Sequence, residues 1–507
     1  MKKNIIAYGP AVLCGVLLIL SFPTFDLYPL AWVAFAPFLL SLWEKTPKEA
    51  FLAGVIMGVV YFFGTLYWIY HSIDYYGGMS LYASLSLVLL LSLYLSLYPG
   101  MFALFFSMKI KSTKLPALLL APVLWVTFEF IRSYALTGFP WSSIGYSQYK
   151  FLYGIQFADI TGIYGVSFLV LSVNGAIADI VIYRKRREKM PLFPSSHTVI
   201  GYSVFFFALF SIFVYGYWRL HQHRPGNTVR VSMIQGDIEQ DEKWDPSYQD
   251  AVVSAYEKLS ESAAASSPSL IIWPETALPF YFGYDETRSR DLVEFQRRLN
   301  AYLLFGSVTV KRPPGHGKPP LLANSAILLD KDGKVSYIYD KMHLVPFGEY
   351  VPLRKVLFFV DRLAAGIGDY APGDKFVKAR TPFGNFATFV CYEIIFPGLV
   401  RKFYSKDGDF IVTITNDAWF GRTAGPYQHF SMAVFRAIEN RKPVLRAANT
   451  GISGYIDSNG RIVARTRLFE RLAETVDMTT DMTRSFYSKY GDIFSYVCII
   501  ASLLLLI

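Results

Sequence analysis

Eight apolar segments, each close to the length that spans a bilayer, limit what this chain can fold into. Seven precede residue 220 and one ends the chain: they cover 5–22, 28–43, 51–70, 81–107, 116–133, 161–183, 198–218 and 491–507. A hydrocarbon core about 30 Å thick takes roughly 20 apolar helical residues to cross. Because 53% of the 507 residues are hydrophobic, part of the chain must lie in lipid. We therefore predict a polytopic α-helical membrane domain with eight transmembrane helices.

Basic residues recur on every second connection between these segments, whereas the alternate connections carry almost none. They are Lys2 and Lys3, then Lys45 and Lys48, then Lys109, Lys111 and Lys114, then Arg184, Lys185, Arg186, Arg187 and Lys189. Cytoplasmic loops carry such an excess, so we predict both termini in the cytoplasm and the region after the seventh segment outside it. This asymmetry accounts for much of the net charge of +10, and no nucleic-acid partner is inferred from it.

Polarity divides the chain into three predicted parts. Residues 1–220 form the membrane domain with seven helices, 225–485 form a globular domain, and 490–507 form the eighth helix. Within the globular part, strand-like apolar runs alternate with stretches of helical periodicity, which is typical of a layered α/β domain. The chain has three cysteines and no Cys-x-x-Cys pair, so neither a disulfide framework nor a metal site is predicted.

Three short motifs in the globular part each present one reactive side chain beside an apolar strand-like run. Glu275 ends the run 270–273 after Pro274, Lys341 follows the run 335–339, and Cys391 follows the run 386–390. Taken singly, each residue has an ordinary structural explanation: a strand-end carboxylate, a surface lysine and a buried packing cysteine. Together they supply what cysteine acyl chemistry requires, namely a base, a cation for the developing oxyanion and a nucleophile.

The order glutamate, lysine, cysteine and the residues flanking each one resemble the nitrilase, or carbon-nitrogen hydrolase, superfamily. The resemblance implies an α-β-β-α sandwich for the globular domain. It implies that Glu275 is the general base, Cys391 the nucleophile, and Lys341 the cation that holds the oxyanion and lowers the pKa of the thiol. It also implies supporting roles for four residues around these three: Glu349, Tyr392, Glu393 and Trp244.

Two histidines in the globular part invite a cysteine-histidine interpretation. His343 lies inside the lysine motif, and His429 lies in a predicted helix near 427–440. Neither is surrounded by the Cys-His-Asn signature of cysteine proteases, so we expect both to be structural.

Further stretches narrow the resemblance to the apolipoprotein N-acyltransferase family. They begin at Ile234, Asn416, Gly425, Arg436 and Ala448, and they follow an integral-membrane half. The resemblance implies that Cys391 takes a fatty acyl chain from a membrane phospholipid, usually phosphatidylethanolamine, as a thioester. The acyl chain then passes to the N-terminal amine of the S-diacylglyceryl-cysteine of an apolipoprotein. It further implies a monomer without cofactor or metal, in the bacterial inner membrane, with the catalytic domain facing the periplasm.

Two apolar loops, 279–282 and 352–360, are candidates for lipid entry through four aromatic residues: Phe280, Phe282, Phe358 and Phe359. Packing against the membrane helices is the equal alternative for both loops. Two other functions compete with acyl transfer. In a membrane-tethered hydrolase, water would resolve the thioester, and the product would be a free acid instead of an amide. An inert lipoprotein-binding scaffold would need none of the three reactive residues, and all three are present.

Overall fold

The computed structural model describes residues 2–113, 115–187, 196–222, 226–313, 320–351 and 370–506. The chain divides into two compact units, each with more contacts inside it than to the other. The first unit comprises Met1–Asp74, Met79–His223 and Tyr490–Ile507. The second comprises Tyr75–Gly78 and Arg224–Lys489. The first is helical, and the second mixes helices with strands.

A helix lies over each of the eight predicted apolar segments. In chain order the helices are α1 (Lys2–Ser21), α2 (Ala31–Glu44), α3 (Pro47–Leu66), α4 (Ile69–His71), α5 (Leu81–Ser112), α6 (Ala117–Tyr134), α7 (Leu152–Ile155), α8 (Ala158–Thr161), α9 (Ile163–Arg187), α10 (Ser196–His221), α11 (Gln240–Lys243), α12 (Gln249–Ala264), α13 (Glu286–Leu299), α14 (Pro397–Tyr404), α15 (Gly425–Asn440), α16 (Phe486–Tyr490) and α17 (Ile493–Leu506).

Within the described residues, five helices are long and apolar enough to cross a membrane: α3, α5, α6, α9 and α10. The apolar parts of α1 and α17 are shorter, and α2 has only 14 residues. Helix α2 contains Pro37, which removes one backbone donor from its interior. The membrane character of the chain thus stands on five long helices, and the eight crossings stay a prediction.

Helix α3 shows how the sequence starts and packs a membrane helix. The Thr46 side chain accepts a hydrogen bond from the Glu49 amide, the Glu49 carboxylate accepts one from the Thr46 amide, and Pro47 occupies the first turn. Gly54 and Gly58 lie on the face that meets α5, where an added Cβ would collide with the backbone of that helix. Small residues therefore bring these two helices close together, as is common between membrane helices.

A buried amide ties α9 to α2. The Asn174 side chain accepts hydrogen bonds from the Phe35 and Ala36 amides at 2.8 and 3.0 Å. Its Nδ2 donates to the carbonyls of Ala31 and Val170 at 2.9 and 2.8 Å. Three of these bonds join α9 to α2, and the fourth, to Val170, lies within α9. Because lipid offers no competing partners, the three bonds hold the two helices in a fixed register.

Two six-stranded sheets form the second unit, and its predicted α/β character is confirmed. The strands are β1 (Thr228–Gln235), β2 (Leu270–Ile272), β3 (Tyr302–Arg312), β4 (Leu321–Leu329), β5 (Val335–Asp340), β6 (Ala379–Thr381), β7 (Gly384–Val390), β8 (Phe410–Thr415), β9 (Val444–Ala448), β10 (Gly454–Ile456), β11 (Ile462–Arg465) and β12 (Leu472–Thr479). The strand orders are β12-β1-β2-β3-β4-β5 and β11-β10-β9-β8-β7-β6. In each sheet three central strands are parallel, β1 to β3 and β7 to β9, and the remaining pairs are antiparallel.

The sheets contact each other through β1 with β9 and through β4 with β7. Helices α12 and α13 cover the first sheet, where Trp273 stacks on Tyr256 at 5.1 Å and donates a 2.8 Å hydrogen bond to Ser260. The first and last strands of the unit pair with each other, so that Thr228 lies opposite Thr479.

Replacing Asn174 by leucine should lower the free energy of unfolding by about 2 kcal/mol, because four backbone groups lose a partner in a dry environment. Thermal unfolding of the purified protein in detergent measures the change. Ile180→Ala is the matched control, because Ile180 lies on the same helix and its side chain is 51% exposed. An equal effect of the two substitutions would contradict the structural role of the amide.

Candidate active site

The three reactive residues of the sequence motifs follow three strands of the second unit. Glu275 comes after β2, Lys341 directly after β5 and Cys391 directly after β7. Strands β2 and β5 run in the same direction, because β5 is antiparallel to β4 and β4 is antiparallel to β3. Their carboxyl ends therefore meet at one edge, which is where open α/β sheets bind ligands.

An ammonium and an amide hold two carboxylates together at this edge. Lys341 Nζ lies 3.0 Å from Glu349 Oε1 and 3.6 Å from Glu275 Oε1. Asn324 Nδ2 donates to the same two oxygens, at 2.7 Å for Glu275 and 3.0 Å for Glu349. Burial disfavours the charged lysine, but Glu349 and Glu275 outweigh burial and raise the pKa of Lys341. The lysine is therefore a fixed cation at neutral pH.

The second oxygen of Glu275 is held from the other sheet. Glu275 Oε2 accepts a 2.9 Å hydrogen bond from the backbone amide of Asn416, which follows β8. The Glu275 carbonyl accepts a 3.2 Å hydrogen bond from Lys243, whose ammonium also donates to Thr276 at 2.9 Å. Burial lowers the pKa of Lys243 to about 8, although Glu275 opposes that shift. Each carboxylate oxygen of Glu275 thus has a defined partner: Oε1 accepts from Asn324 of the first sheet, and Oε2 accepts from the Asn416 amide, which follows a strand of the second sheet.

Cys391 lies at a sharp turn between β7 and a short 3₁₀ helix, Cys391–Ile395. Its φ of 52° falls in the left-handed region, which a residue with a Cβ adopts only when neighbouring contacts hold it there. Burial raises the pKa of the Cys391 thiol; Glu275 adds to the effect, and Lys341 opposes it. Lys341 thus lowers the thiol pKa, which is the predicted direction, while burial and Glu275 have the larger and opposite effect. The resting thiol is protonated, so attack requires transfer of its proton to a base.

Glu393 connects the cysteine turn to the lysine loop. One of its oxygens accepts hydrogen bonds from the Tyr339 hydroxyl and from the Met342 and His343 amides, at 2.7, 2.7 and 3.1 Å. The other accepts from the Val390 amide at 2.8 Å. Burial raises the pKa of Glu393 to about 7, against the opposing effect of its hydrogen bonds. The fully buried Glu393 side chain therefore bonds both the turn that carries Cys391 and the loop that carries Lys341, and it fixes the distance between them.

The remaining predicted residues differ in their surroundings. Tyr392 is buried and contacts the rings of His343 and Phe396. Trp244 is 38% exposed, with its ring 6.2 Å from that of Tyr281.

Of the four aromatic residues predicted for lipid entry, two are described. Phe280 belongs to the core of the second unit, and Phe282 packs edge-on against Phe305 at 5.1 Å. Phe358 and Phe359 lie outside the described residues. The two described rings thus pack within their own unit, and lipid entry stays a prediction.

Sequence reasoning missed the amides that hold the acidic groups. Asn324 is a buried polar residue in the middle of the apolar strand β4, and Asn416 directly follows the fully buried strand β8. A polar side chain inside or at the end of a buried strand needs a partner, and this was the available signal. The sequence could not identify Glu275 as that partner, because Glu275 lies 49 residues from Asn324 and 141 residues from Asn416.

Comparisons with known proteins agree with this division of the chain. Residues 14–176 match the apolipoprotein N-acyltransferase N-terminal domain, and residues 230–486 match the carbon-nitrogen hydrolase family. The chain is 43% identical over 494 residues to the apolipoprotein N-acyltransferase of Geobacter metallireducens, with 97% of this chain and 93% of that protein covered. The corresponding protein of Pasteurella multocida is 32% identical over 509 residues, with the same coverage.

Solved structures resemble the second unit more distantly. An amidase from Nesterenkonia sp. is 18% identical, with a TM-score of 0.38, and the match covers 51% of this chain and 92% of that chain. A carbon-nitrogen hydrolase from Helicobacter pylori is 15% identical, with a TM-score of 0.39, and the match covers 49% and 88%.

Gly306 of β3 allows the Glu275 loop to approach the sheet. A Cβ added there would lie 2.5 Å from the Thr276 amide nitrogen and 2.6 Å from the Glu275 Cα, both backbone atoms that cannot turn aside. Gly306→Ala should therefore displace Glu275 and cost about 100-fold in the rate of Cys391 acylation, the order expected for a misplaced reacting group.

The matched control is Gly283→Ala, since an added Cβ at Gly283 meets nothing within 4 Å although its φ is 81°. That substitution tests backbone strain without a collision, and it should leave the acylation rate within about 3-fold. Equal rates for the two variants would contradict the packing argument.

Proposed function

The chain belongs to the apolipoprotein N-acyltransferase family, and on that premise we propose that it acylates lipoproteins by a two-step mechanism through Cys391. The acyl donor is a membrane phospholipid, with phosphatidylethanolamine the expected one. The acceptor is the N-terminal amine of an S-diacylglyceryl-cysteine. The observation that carries the proposal is the cluster of Glu275, Glu349 and Lys341: Glu349 pairs with Lys341, and the charges of Glu275 and Lys341 act on the buried thiol.

In the first step the thiol attacks the ester carbonyl of the phospholipid. Glu275 accepts the thiol proton as the new sulfur-carbon bond forms, and Lys341 stabilises the negative charge that develops on the carbonyl oxygen. When the carbon-oxygen bond breaks, the proton on Glu275 passes to the departing alkoxide. A lysophospholipid leaves, and the acyl chain remains on Cys391 as a thioester.

In the second step the neutral amine of the lipoprotein attacks the thioester carbonyl. Glu275 takes a proton from the attacking nitrogen, and Lys341 again faces the oxyanion. The carbon-sulfur bond breaks, the sulfur regains its proton, and an amide is formed. Because donor and acceptor use Cys391 in turn, the kinetics are expected to be ping-pong.

The charge distribution supports this order of proton transfers. With its pKa raised by the two carboxylates, Lys341 keeps its charge throughout the neutral range and cannot serve as the base. The protonated resting thiol needs a neighbouring acceptor, and the Glu275 carboxylate is one of the charged groups that act on it. Proton transfer by Glu275 and oxyanion stabilisation by Lys341 are thereby divided between two residues that lie 3.6 Å apart.

The location proposed for this reaction is the bacterial inner membrane, with the second unit on the periplasmic side and the chain acting as a monomer. The alternating basic loops support this orientation. Both substrates are lipids, so a membrane-bound enzyme meets them at high effective concentration by lateral diffusion.

Cys391→Ala should abolish the hydroxylamine-sensitive thioester and the amide product, because it removes the nucleophile. Cys14→Ala and Cys498→Ala are matched controls; both residues are buried in helices of the first unit, and both variants should retain activity. Labelled phospholipid and a diacylated lipopeptide provide the assay. A fatty acid released without amide would indicate the hydrolase, and a labelled Cys391→Ala enzyme would refute the nucleophile.

Glu275→Gln and Lys341→Ala should each slow thioester formation by at least about 100-fold, the order lost with a general base or an oxyanion contact. Removing Lys341 also removes the one charge that lowers the thiol pKa, so the pH of half-maximal thiol alkylation should rise. Lys334→Ala is the control, because that lysine is exposed at a turn. Parental acylation by Lys341→Ala would remove the lysine from the mechanism.

A cysteine introduced at exposed Lys331 should react with a membrane-impermeant maleimide in intact spheroplasts, because the second unit is proposed to face the periplasm. A cysteine at exposed Lys48, on a predicted cytoplasmic connection, should react only after lysis. Mass spectrometry of the labelled protein gives both results. The opposite pair of results would reverse the orientation.

A further inference from the structure

Directly behind the cysteine turn lies a buried group of charged and polar side chains that the proposed chemistry does not use. Arg446 Nη2 lies 2.7 Å from Asp417 Oδ2 and 3.0 Å from His429 Nδ1. His429 Nδ1 lies 3.1 Å from Asp417 Oδ1, and its Nε2 lies 3.2 Å from the carbonyl oxygen of Cys391. All three side chains are fully buried. Burying charged groups costs desolvation free energy, so this network indicates a specific structural or functional role.

The hydrogen-bonding capacity of the partners determines the protonation of the ring. A backbone carbonyl only accepts, so Nε2 of His429 must carry a proton and donate it to Cys391. Burial lowers the pKa of His429, and Arg446 lowers it further, so the ring is neutral and Nδ1 accepts from Arg446. Burial alone would raise the pKa of Asp417, but the Arg446 charge holds it well below its usual range. Asp417 is thus the anion that balances Arg446.

The bond to the Cys391 carbonyl constrains the peptide unit that joins Cys391 to Tyr392. In a trans peptide the C=O and N–H groups point in opposite directions, so a carbonyl directed at His429 turns the Tyr392 amide away from it. The same bond also restrains Cys391, whose φ of 52° is otherwise unfavourable.

We propose that His429, oriented by Asp417 and Arg446, is a positioning residue that holds the Cys391 carbonyl and so keeps the thiol beside Glu275 and Lys341. The proposal rests on Cys391 being the nucleophile of the proposed function. His429 itself transfers no proton. Its contribution is to maintain a turn that would otherwise relax and carry the thiol away from its base and its cation.

Two substitutions at His429 separate this role from general stability. Glutamine places an N–H donor and an oxygen acceptor on either side of one carbon, as the imidazole does, so it can bond both the Cys391 carbonyl and Arg446. Leucine can bond neither. His429→Leu should lower the maximal rate of thioester formation at least about 10-fold with little change in KM, whereas His429→Gln should stay within about 3-fold of the parent.

A second readout does not depend on the phospholipid reaction. Iodoacetamide alkylation of Cys391 in the full-length protein reports thiol ionisation in the presence of the charged groups that act on it: Glu275, Lys341 and Asp417. In His429→Leu the pH of half-maximal alkylation should fall, because a thiol that leaves the turn loses the larger pKa-raising effects of burial and Glu275 together with the smaller lowering effect of Lys341. In His429→Gln it should not change. Met432→Leu, a volume-conserving change at a buried position of the same helix, is the control and should match the parent.

The outcomes decide between the possibilities. A parental rate and a parental alkylation profile in His429→Leu would overturn the proposal, as would a folded His429→Gln that is as impaired as the leucine variant. If His429→Leu does not fold, the nitrogen chemical shifts of ¹⁵N-histidine in the parent protein decide: a proton on Nδ1 instead of Nε2 would overturn it. A parent that forms no thioester from phospholipid would refute the proposed function, and the alkylation profiles would still test His429.

Discussion

One buried ammonium, Lys341, held between the carboxylates of Glu275 and Glu349, is the interaction on which the candidate site depends. A charge that is 1% exposed is tolerable only with partners that offset its lost hydration, and here these are two carboxylates. Both carboxylates in turn accept hydrogen bonds from Asn324. The lysine thereby becomes a permanent cation, and the carboxylates become confined to one orientation. Removing the lysine would leave two buried carboxylates without the cation that compensates them.

The surroundings of Lys341 favour its charged form, whereas the surroundings of the Cys391 thiol favour its neutral form. Burial and the charges of Glu275 and Asp417 favour the protonated form of Cys391, while Lys341 and a hydrogen bond with Thr415 favour the thiolate. A nucleophile kept neutral at rest does not attract adventitious electrophiles, and it becomes reactive only when proton transfer accompanies attack. The same glutamate that suppresses ionisation is the acceptor of the proton, so restraint and activation come from one residue.

The sequence predicted the helices, the α/β character of the globular part and the three motif residues, because each depends on patterns within a short stretch. The hydrogen bonds around Glu275 were not predictable, since Asn324 and Asn416 reach it from distant strands. The net direction of the thiol pKa shift was not predictable either: the neighbouring lysine is visible in the motif, whereas burial is a property of the folded sheets. His429 was expected to be structural, and no local pattern indicated the carbonyl that it contacts.

The first strand of the globular unit pairs with its last, with Thr228 opposite Thr479. The first sheet therefore cannot be completed until the last strand has been synthesised. Strand β1 has parallel β2 on one side, but its other edge stays open until the ribosome has added more than 200 further residues and β12 exists. An unpaired strand edge is a template for association with other chains. The interval between synthesis of the two strands is therefore the period in which this protein is most exposed to misassembly, and a chain cut short before β12 would retain that open edge permanently.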